Sequence, residues 1–363
     1  MNKSFKLMID SGAHSLYEQI VKRQGKGYKY FETDEFWQYV DEYAEFIKTY
    51  KDFIDVYVNV DVIFNPELTW KVQRYLEDHH KLNPLPVFHY GENIKWLIKY
   101  MDNYDYIGIG GIGQDVSADE YVNFGDRVFK IICDNKGEPL RRTHGFAITT
   151  NRLVYRYPWY SVDSTTWALI AGYGGILIPF FKDGKFYYNK APNKILVSKR
   201  SFTGSNSKFH YQNLSESSKK IVSKYLKAKG FMIDWDDLAD EDENFSTNVV
   251  VSYRSRRKVN ILYYLDMEND LRKRVNLFKP VLPTFFETKS NNSHRCKPWE
   301  GVCIYLSSGS DIIRYDLDLP VTHVLESYWA LRSKNTSEKF FNMIKESIDG
   351  CNKRRYSEKA INS

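Results

Sequence analysis

With 363 residues, 42% of them hydrophobic and 27% charged, the chain reads as an ordinary soluble protein with room for one large domain and a smaller unit. A net charge of +6 and a pI near 8.8 suit a polyanionic partner without requiring one. Cys133, Cys296, Cys303 and Cys351 form no Cys-x-x-Cys pair, which argues against a disulfide framework. No apolar run approaches membrane-spanning length and no leader-like stretch opens the sequence, so a cytoplasmic location is expected.

In chain order, short apolar runs alternate with segments of helical spacing. Lys6-Leu7-Met8-Ile9 precedes Asp10-Ser11-Gly12, and residues 34 to 50 then place apolar groups at helical intervals behind an acidic first turn. Val56 to Val60 precedes Asp61, and a helix follows in which Asn65 caps and Pro66 takes the first position. Leu85 to Phe88 precedes His89-Tyr90-Gly91, with a helix from about Asn93 to Tyr100. Tyr106 to Ile109 precedes Gly110-Gly111, with a helix from Ser117 to Ile132. Arg142-Thr143 leads to His144-Gly145-Phe146, and Tyr160 to Val162 leads to Asp163-Ser164-Thr165. A short helix spans Thr166 to Ala171, with Thr165 and Thr166 as its expected caps, and Trp159 and Trp167 read as core.

Alternating short strands and helices predict βα units around a parallel sheet, and polar groups at the strands' carboxyl ends are where a β/α barrel builds its site. The expected fold is therefore a (β/α)8 barrel over residues 1–200, with Gly175 to Pro179 and then Lys194 to Ser198 as its closing strands. Residues 201–363 read as an additional C-terminal α+β region. In it, Glu216 to Lys229 forms a basic amphipathic helix, and Asp234 to Glu243 a solvated acidic connector. Arg254, Arg256, Arg257 and Lys258 make a basic patch for nucleic acid, extended by Arg272-Lys273-Arg274.

The 28 Tyr, 22 Phe and 8 Trp supply apolar area and candidate stacking platforms, although an AT-rich genome also favours these residues. Each strand-end Asp taken alone also fits a helix cap. Three at one predicted mouth, with two glycine turns, point to chemistry.

Asp10-Ser11-Gly12-Ala13, Asp61, Gly110-Gly111-Ile112, His144-Gly145-Phe146 and Ser161-Val162-Asp163-Ser164 together resemble the tRNA-guanine transglycosylase superfamily. They are most similar to its phage-encoded branch, which places 7-deazaguanine bases in viral DNA. The resemblance covers about residues 5 to 200. It implies exchange of guanine for a 7-deazaguanine such as 7-cyano-7-deazaguanine, through a covalent glycosyl-aspartate.

By that resemblance Asp163 is the nucleophile, and Asp10 protonates the departing guanine and then deprotonates the incoming base. Asp61 reads the Watson–Crick edge, Gly110 and Gly111 let backbone approach the base, and His89, His14 and His144 are base contacts. Two departures stand out: His14 takes the place of the family's stacking aromatic, and His89 lies near its usual Gln.

The tRNA enzymes' structural zinc uses a tight three-cysteine cluster and a distant His. Here only His294, Cys296 and Cys303 lie close, so no metal and no cofactor are expected. The partners implied are DNA and a free 7-deazaguanine, with no membrane and the homodimer left open. The alternatives are the same reaction on tRNA and a noncatalytic nucleic-acid-binding subunit. The aromatic-rich C-terminal region is the expected source of a wedge that exposes the target base.

Overall fold

The computed structural model describes residues 5–110, 116–148, 150–199, 207–236, 246–274, 302–316 and 318–361. From the N-terminus, β1 (Lys6–Asp10) leads to α1 (Ala13–Leu16) and α2 (Asp34–Tyr50). Next come β2 (Val56–Tyr57), α3 (Pro66–Asp78), β3 (Val87–His89) and α4 (Ile94–Asn103). β4 (Tyr106–Gly110), α5 (Ala118–Ile132), β5 (Arg142–Gly145), α6 (Asn151–Val154), β6 (Ser161–Ser164) and α7 (Thr166–Gly172) continue the alternation. β7 (Gly175–Ile178), β8 (Phe180–Lys182), β9 (Lys185–Tyr187) and β10 (Asn193–Leu196) precede the long helices α8 (Glu216–Ala228) and α9 (Tyr253–Arg272). The chain ends in β11 (Cys303–Ser307), α10 (Gly309–Tyr315), β12 (His323–Ser327), α11 (Tyr328–Leu331) and α12 (Lys334–Ile361).

The helix starts follow their capping chemistry. Asn65 Oδ1 accepts from the Leu68 amide at 3.0 Å, with Pro66 behind it, and Ser117 and Glu120 form a reciprocal capping box. At α7 neither threonine serves as the expected cap; Ser164 Oγ accepts from the Thr166 amide instead, at 3.2 Å.

Eight strands form one curled, wholly parallel sheet in the order β2-β1-β12-β11-β6-β5-β4-β3. Its two end strands are linked by a bridge between Val58 and Leu85 with two backbone hydrogen bonds, Leu85 N to Tyr57 O (2.8 Å) and Asn59 N to Leu85 O (2.9 Å). Residues alternate across the sheet. Met8, Val58, Val87, Tyr305 and Leu325 pack together on the inner face, while Leu7, Ile9, Ile107, Val162, Ile304 and Val324 pack against the helices outside.

Two expectations about chain organisation are corrected. The strand at 194–198 does not join the parallel sheet. β10 pairs antiparallel with β7, and the two make a small second core with α8 and α9, built from Ile176, Ile178, Ile195, Val222, Leu226 and Val259. The boundary at residue 200 also fails for the sheet, because β11 and β12 lie between β6 and β1. The segment around residues 173–252 is thus an excursion between sheet strands, and α9 carries the chain back across the outside to β11. Among the described residues no helix is long and apolar enough to cross a membrane.

Candidate active site

The carboxyl ends of the parallel strands bring the predicted acidic residues together. Asp10 closes β1, Asp61 follows the extension of β2, His89 closes β3, Gly110 closes β4 and Asp163 is the third residue of β6. Gly12 turns the chain after Asp10 with φ +78°, and a Cβ there would lie 2.6 Å from Trp329 Cβ, so only glycine fits. At Gly110 the space is less restricted, since a Cβ there would lie 3.3 Å from Val87 Cγ1 and 3.6 Å from His89 Cδ2. Gly111 lies outside the described residues.

Asp10 is partly open to solvent yet densely surrounded. Burial first, then the charges of Asp61 and Asp163, push its pKa up to about 7, against only weak support from the Gly12 amide at 3.3 Å. Asp163 is 7% exposed and held through both oxygens. Ala147 N donates to Oδ1 at 2.6 Å and Ser307 Oγ donates to Oδ2 at 3.1 Å.

Both buried histidines meet protein partners. His89 is closed in by Asp61 Oδ2 at 2.8 Å on Nε2 and by Glu92 Oε1 at 3.0 Å on Nδ1, so both ring nitrogens are used. Burial opposes a charged imidazole, but Asp61 and Glu92 outweigh it and push His89 up to about 10. His89 is thus the ion-pair partner of Asp61, whose Oδ1 has no hydrogen-bond partner among the described residues.

His144 is fully buried one layer below Asp163, level with Ser161, whose Oγ meets Nδ1 at 2.7 Å. Its Nε2 faces Asp163 Oδ1 at 3.5 Å. His14 lies exposed in the last turn of α1, four residues beyond Asp10.

Since the folded pKa of His89 lies above its unfolded value near 6.5, the stability it contributes is complete below that value and is lost as pH rises through about 10. The imidazole resonances of His89 are accordingly expected not to titrate between about pH 5 and 9. In Asp61→Asn they should move into that window; titration there in the parent protein would remove the ion pair.

The basic patch is not an open row of charges. Arg254, Arg256, Arg257 and Lys258 lie in the first turns of α9, with Arg256 and Arg257 buried and Arg254 and Lys258 half-buried. Arg257 is 4% exposed and pairs with the fully buried Asp316 at 2.8 Å; Arg256 donates to Val249 O at 2.9 Å and Val250 O at 3.3 Å. Arg254 donates to Tyr315 O, and Lys258 pairs with Asp318. Arg272 pairs within α9 with Glu268, and Arg274, just past its end, pairs back with Asp270. We expect Arg257→Met to cost roughly 3–5 kcal/mol in urea unfolding by leaving Asp316 unpaired, with nucleic-acid affinity unchanged.

Of the metal candidates, His294 and Cys296 lie outside the described residues, as does most of the acidic connector. Cys303 instead neighbours Glu268 and His323, their ligand atoms within 4.8 Å of one another. The Arg272 guanidinium contacts two of the three, 2.5 Å from Glu268 and 3.7 Å from Cys303 Sγ.

A cavity of about 720 Å³ opens at the opposite end of the sheet, lined by Lys6, Tyr57, Tyr106, Arg142 and Tyr305 among others. It lies away from the carboxylates.

Sequence reasoning missed Glu92 and Ser307. Glu92 stands three residues after His89. Ser307 ends the run Val302 to Leu306, which repeats the pattern of an apolar strand followed by polar and glycine residues.

Compared with known proteins, the chain matches no family model, no curated sequence and no solved structure.

Proposed function

We propose that this protein is a base-exchange transglycosylase that replaces guanine in DNA with a 7-deazaguanine, on a (β/α)8 barrel closed at the Val58–Leu85 bridge. One observation carries the reading: an aspartate whose pKa is raised to about 7 shares the strand ends with two further carboxylates, one of them gripped through both oxygens. Two carboxyl groups with different environments suit a double displacement at a sugar carbon, one as nucleophile and one as acid and then base.

In the first step an Asp163 oxygen bonds to C1′ as the N-glycosidic bond breaks, and the departing guanine takes the Asp10 proton on its ring nitrogen. In the second, Asp10 removes a proton from the incoming 7-deazaguanine, whose ring nitrogen attacks C1′ and releases Asp163. The strand stays whole because the sugar remains bound to the protein between the two steps. Asp61, oriented by His89, offers its other oxygen to the amine and ring N–H of a guanine-like base, and His14, exposed after β1, is the ring we assign to stack on it.

The test is incubation with guanine-containing duplex DNA and 7-cyano-7-deazaguanine, followed by nucleoside mass spectrometry, with tRNA in parallel. Incorporation into DNA supports the reading, incorporation into tRNA alone transfers it to tRNA, and incorporation into neither overturns it.

A further inference from the structure

With Arg256 and Arg257 buried, a base-exchanging protein needs a further grip on a strand, and the surface after β1 offers one. The chain between Asp10 and α2 carries Lys22, Arg23, Lys26 and Lys29 together with Tyr17, Tyr28, Tyr30 and Phe31. It runs through a wide helical turn, Tyr17–Arg23, and a short 3-10 helix, Tyr28–Glu32, joined at Gly25 and Gly27, both with φ near +65° to +68°. Arg23, Lys26 and Lys29 are all exposed on it. Lys26 is paired with Glu35 at 2.7 Å, whereas Arg23 and Lys29 form no salt bridge among the described residues, although Arg23 is near enough to Glu18 to help lower its pKa.

Three rings stand in a row on this surface. Tyr28 is 44% exposed and lies 5.8 Å from half-buried Tyr17, which in turn lies 6.3 Å from Phe64. Phe64 is 69% exposed and sits three residues past Asp61, so it is at most about 11 Å along the chain from that carboxylate. It also holds φ at +64°, a backbone region that bulky side chains rarely adopt. A large apolar ring held out into solvent by an unfavourable backbone, beside the acidic cluster, argues for use rather than packing.

We propose that the Tyr28–Tyr17–Phe64 row, flanked by Arg23 and Lys29, is the surface that holds an unpaired nucleic-acid strand at the site. This rests on the base-exchange reading and names the form of its substrate. The rings are tilted to one another, by 47° between Tyr28 and Tyr17 and by 74° between Tyr17 and Phe64, so each ring can meet a separate base of an unstacked strand rather than extend one continuous stack. Aromatic faces accept any base, and the flanking cations meet the phosphates that such a strand exposes. The ring that parts the bases is then Phe64, in the N-terminal half of the chain, and not a residue of the aromatic-rich C-terminal region.

The test measures binding apart from chemistry, by fluorescence anisotropy of short labelled single-stranded DNA and of RNA of the same sequence, over a salt series. Phe64→Asn keeps a residue that tolerates positive φ, so its melting temperature is expected to be unchanged or higher while its affinity falls about 5- to 100-fold. Joint replacement Arg23→Ala with Lys29→Ala is expected to reduce the slope of log affinity against log salt by about 1.4, about 0.7 per contact. Lys339→Ala, an exposed change on α12, should alter neither. Preference between the two oligonucleotides identifies the natural strand.

Unchanged affinity in both test proteins, or no binding of either oligonucleotide by the parent, overturns the proposal. Whether the parent exchanges guanine is scored separately by mass spectrometry. A wrong interface in a working enzyme is therefore distinguishable from a wrong function.

Discussion

Asp163→Asn is expected to lower base exchange by at least about 10³-fold while leaving the fold intact. Asp163 lies on the inner face of β6 between β5 and β11, and each neighbour supplies a donor, Ala147 N at 2.6 Å and Ser307 Oγ at 3.1 Å. An asparagine can keep both contacts, its oxygen toward the Ala147 amide and its NH2 toward the serine hydroxyl, so unfolding free energy should stay within about 1 kcal/mol of the parent. What it lacks is the anionic oxygen that captures C1′. Parent protein given DNA without an incoming base should accumulate a protein–DNA adduct on a denaturing gel, and the variant should form none. Undiminished exchange in Asp163→Asn would hand the nucleophile's role to another group or dismiss the covalent route.

The elements that were legible in the sequence are those whose signals are local. Asn65-Pro66 and Ser117 with Glu120 mark helix starts because the cap and its amide lie within three residues of each other. Asp10 and Asp163 were legible because a short apolar run ends at each.

What was hidden depends on distant partners. Gly175-Ile176-Leu177-Ile178 has the composition of a buried parallel strand, and only its pairing with residues 193–196 removes it from the main sheet. Arg256 and Arg257 look like surface charges until Asp316, some 60 positions later, and the carbonyls of Val249 and Val250 are folded against them. His89 resembled a ligand contact for the same reason. Its two carboxylate partners come from another strand end and from the next turn, and neither pairing follows from the strand pattern.

Asp10→Asn is expected to make the protein more stable and far less active, a combination that a structural carboxylate does not give. In the unfolded chain the carboxyl titrates near 3.8, and in the folded chain near 7. Between those values the folded state holds a proton that the unfolded state has lost, so stability falls as pH rises through this window. A shift of about three units corresponds to roughly 4 kcal/mol. Because Asp10 keeps some contact with solvent, a gain of roughly 2 kcal/mol for the asparagine above about pH 8 is the fairer expectation, vanishing toward about pH 4.

Exchange activity should fall about 10²- to 10⁴-fold, the usual contribution of a positioned general acid and base. The parent's kcat/KM should bend near pH 7, and the residual activity of the variant should not. Urea unfolding at the two ends of the pH range decides the structural half. If Asp10→Asn loses stability above about pH 8, the carboxylate is serving the turn at Gly12. If it gains stability while exchange collapses, the strain at Asp10 is kept for the proton it carries between the leaving and the entering base.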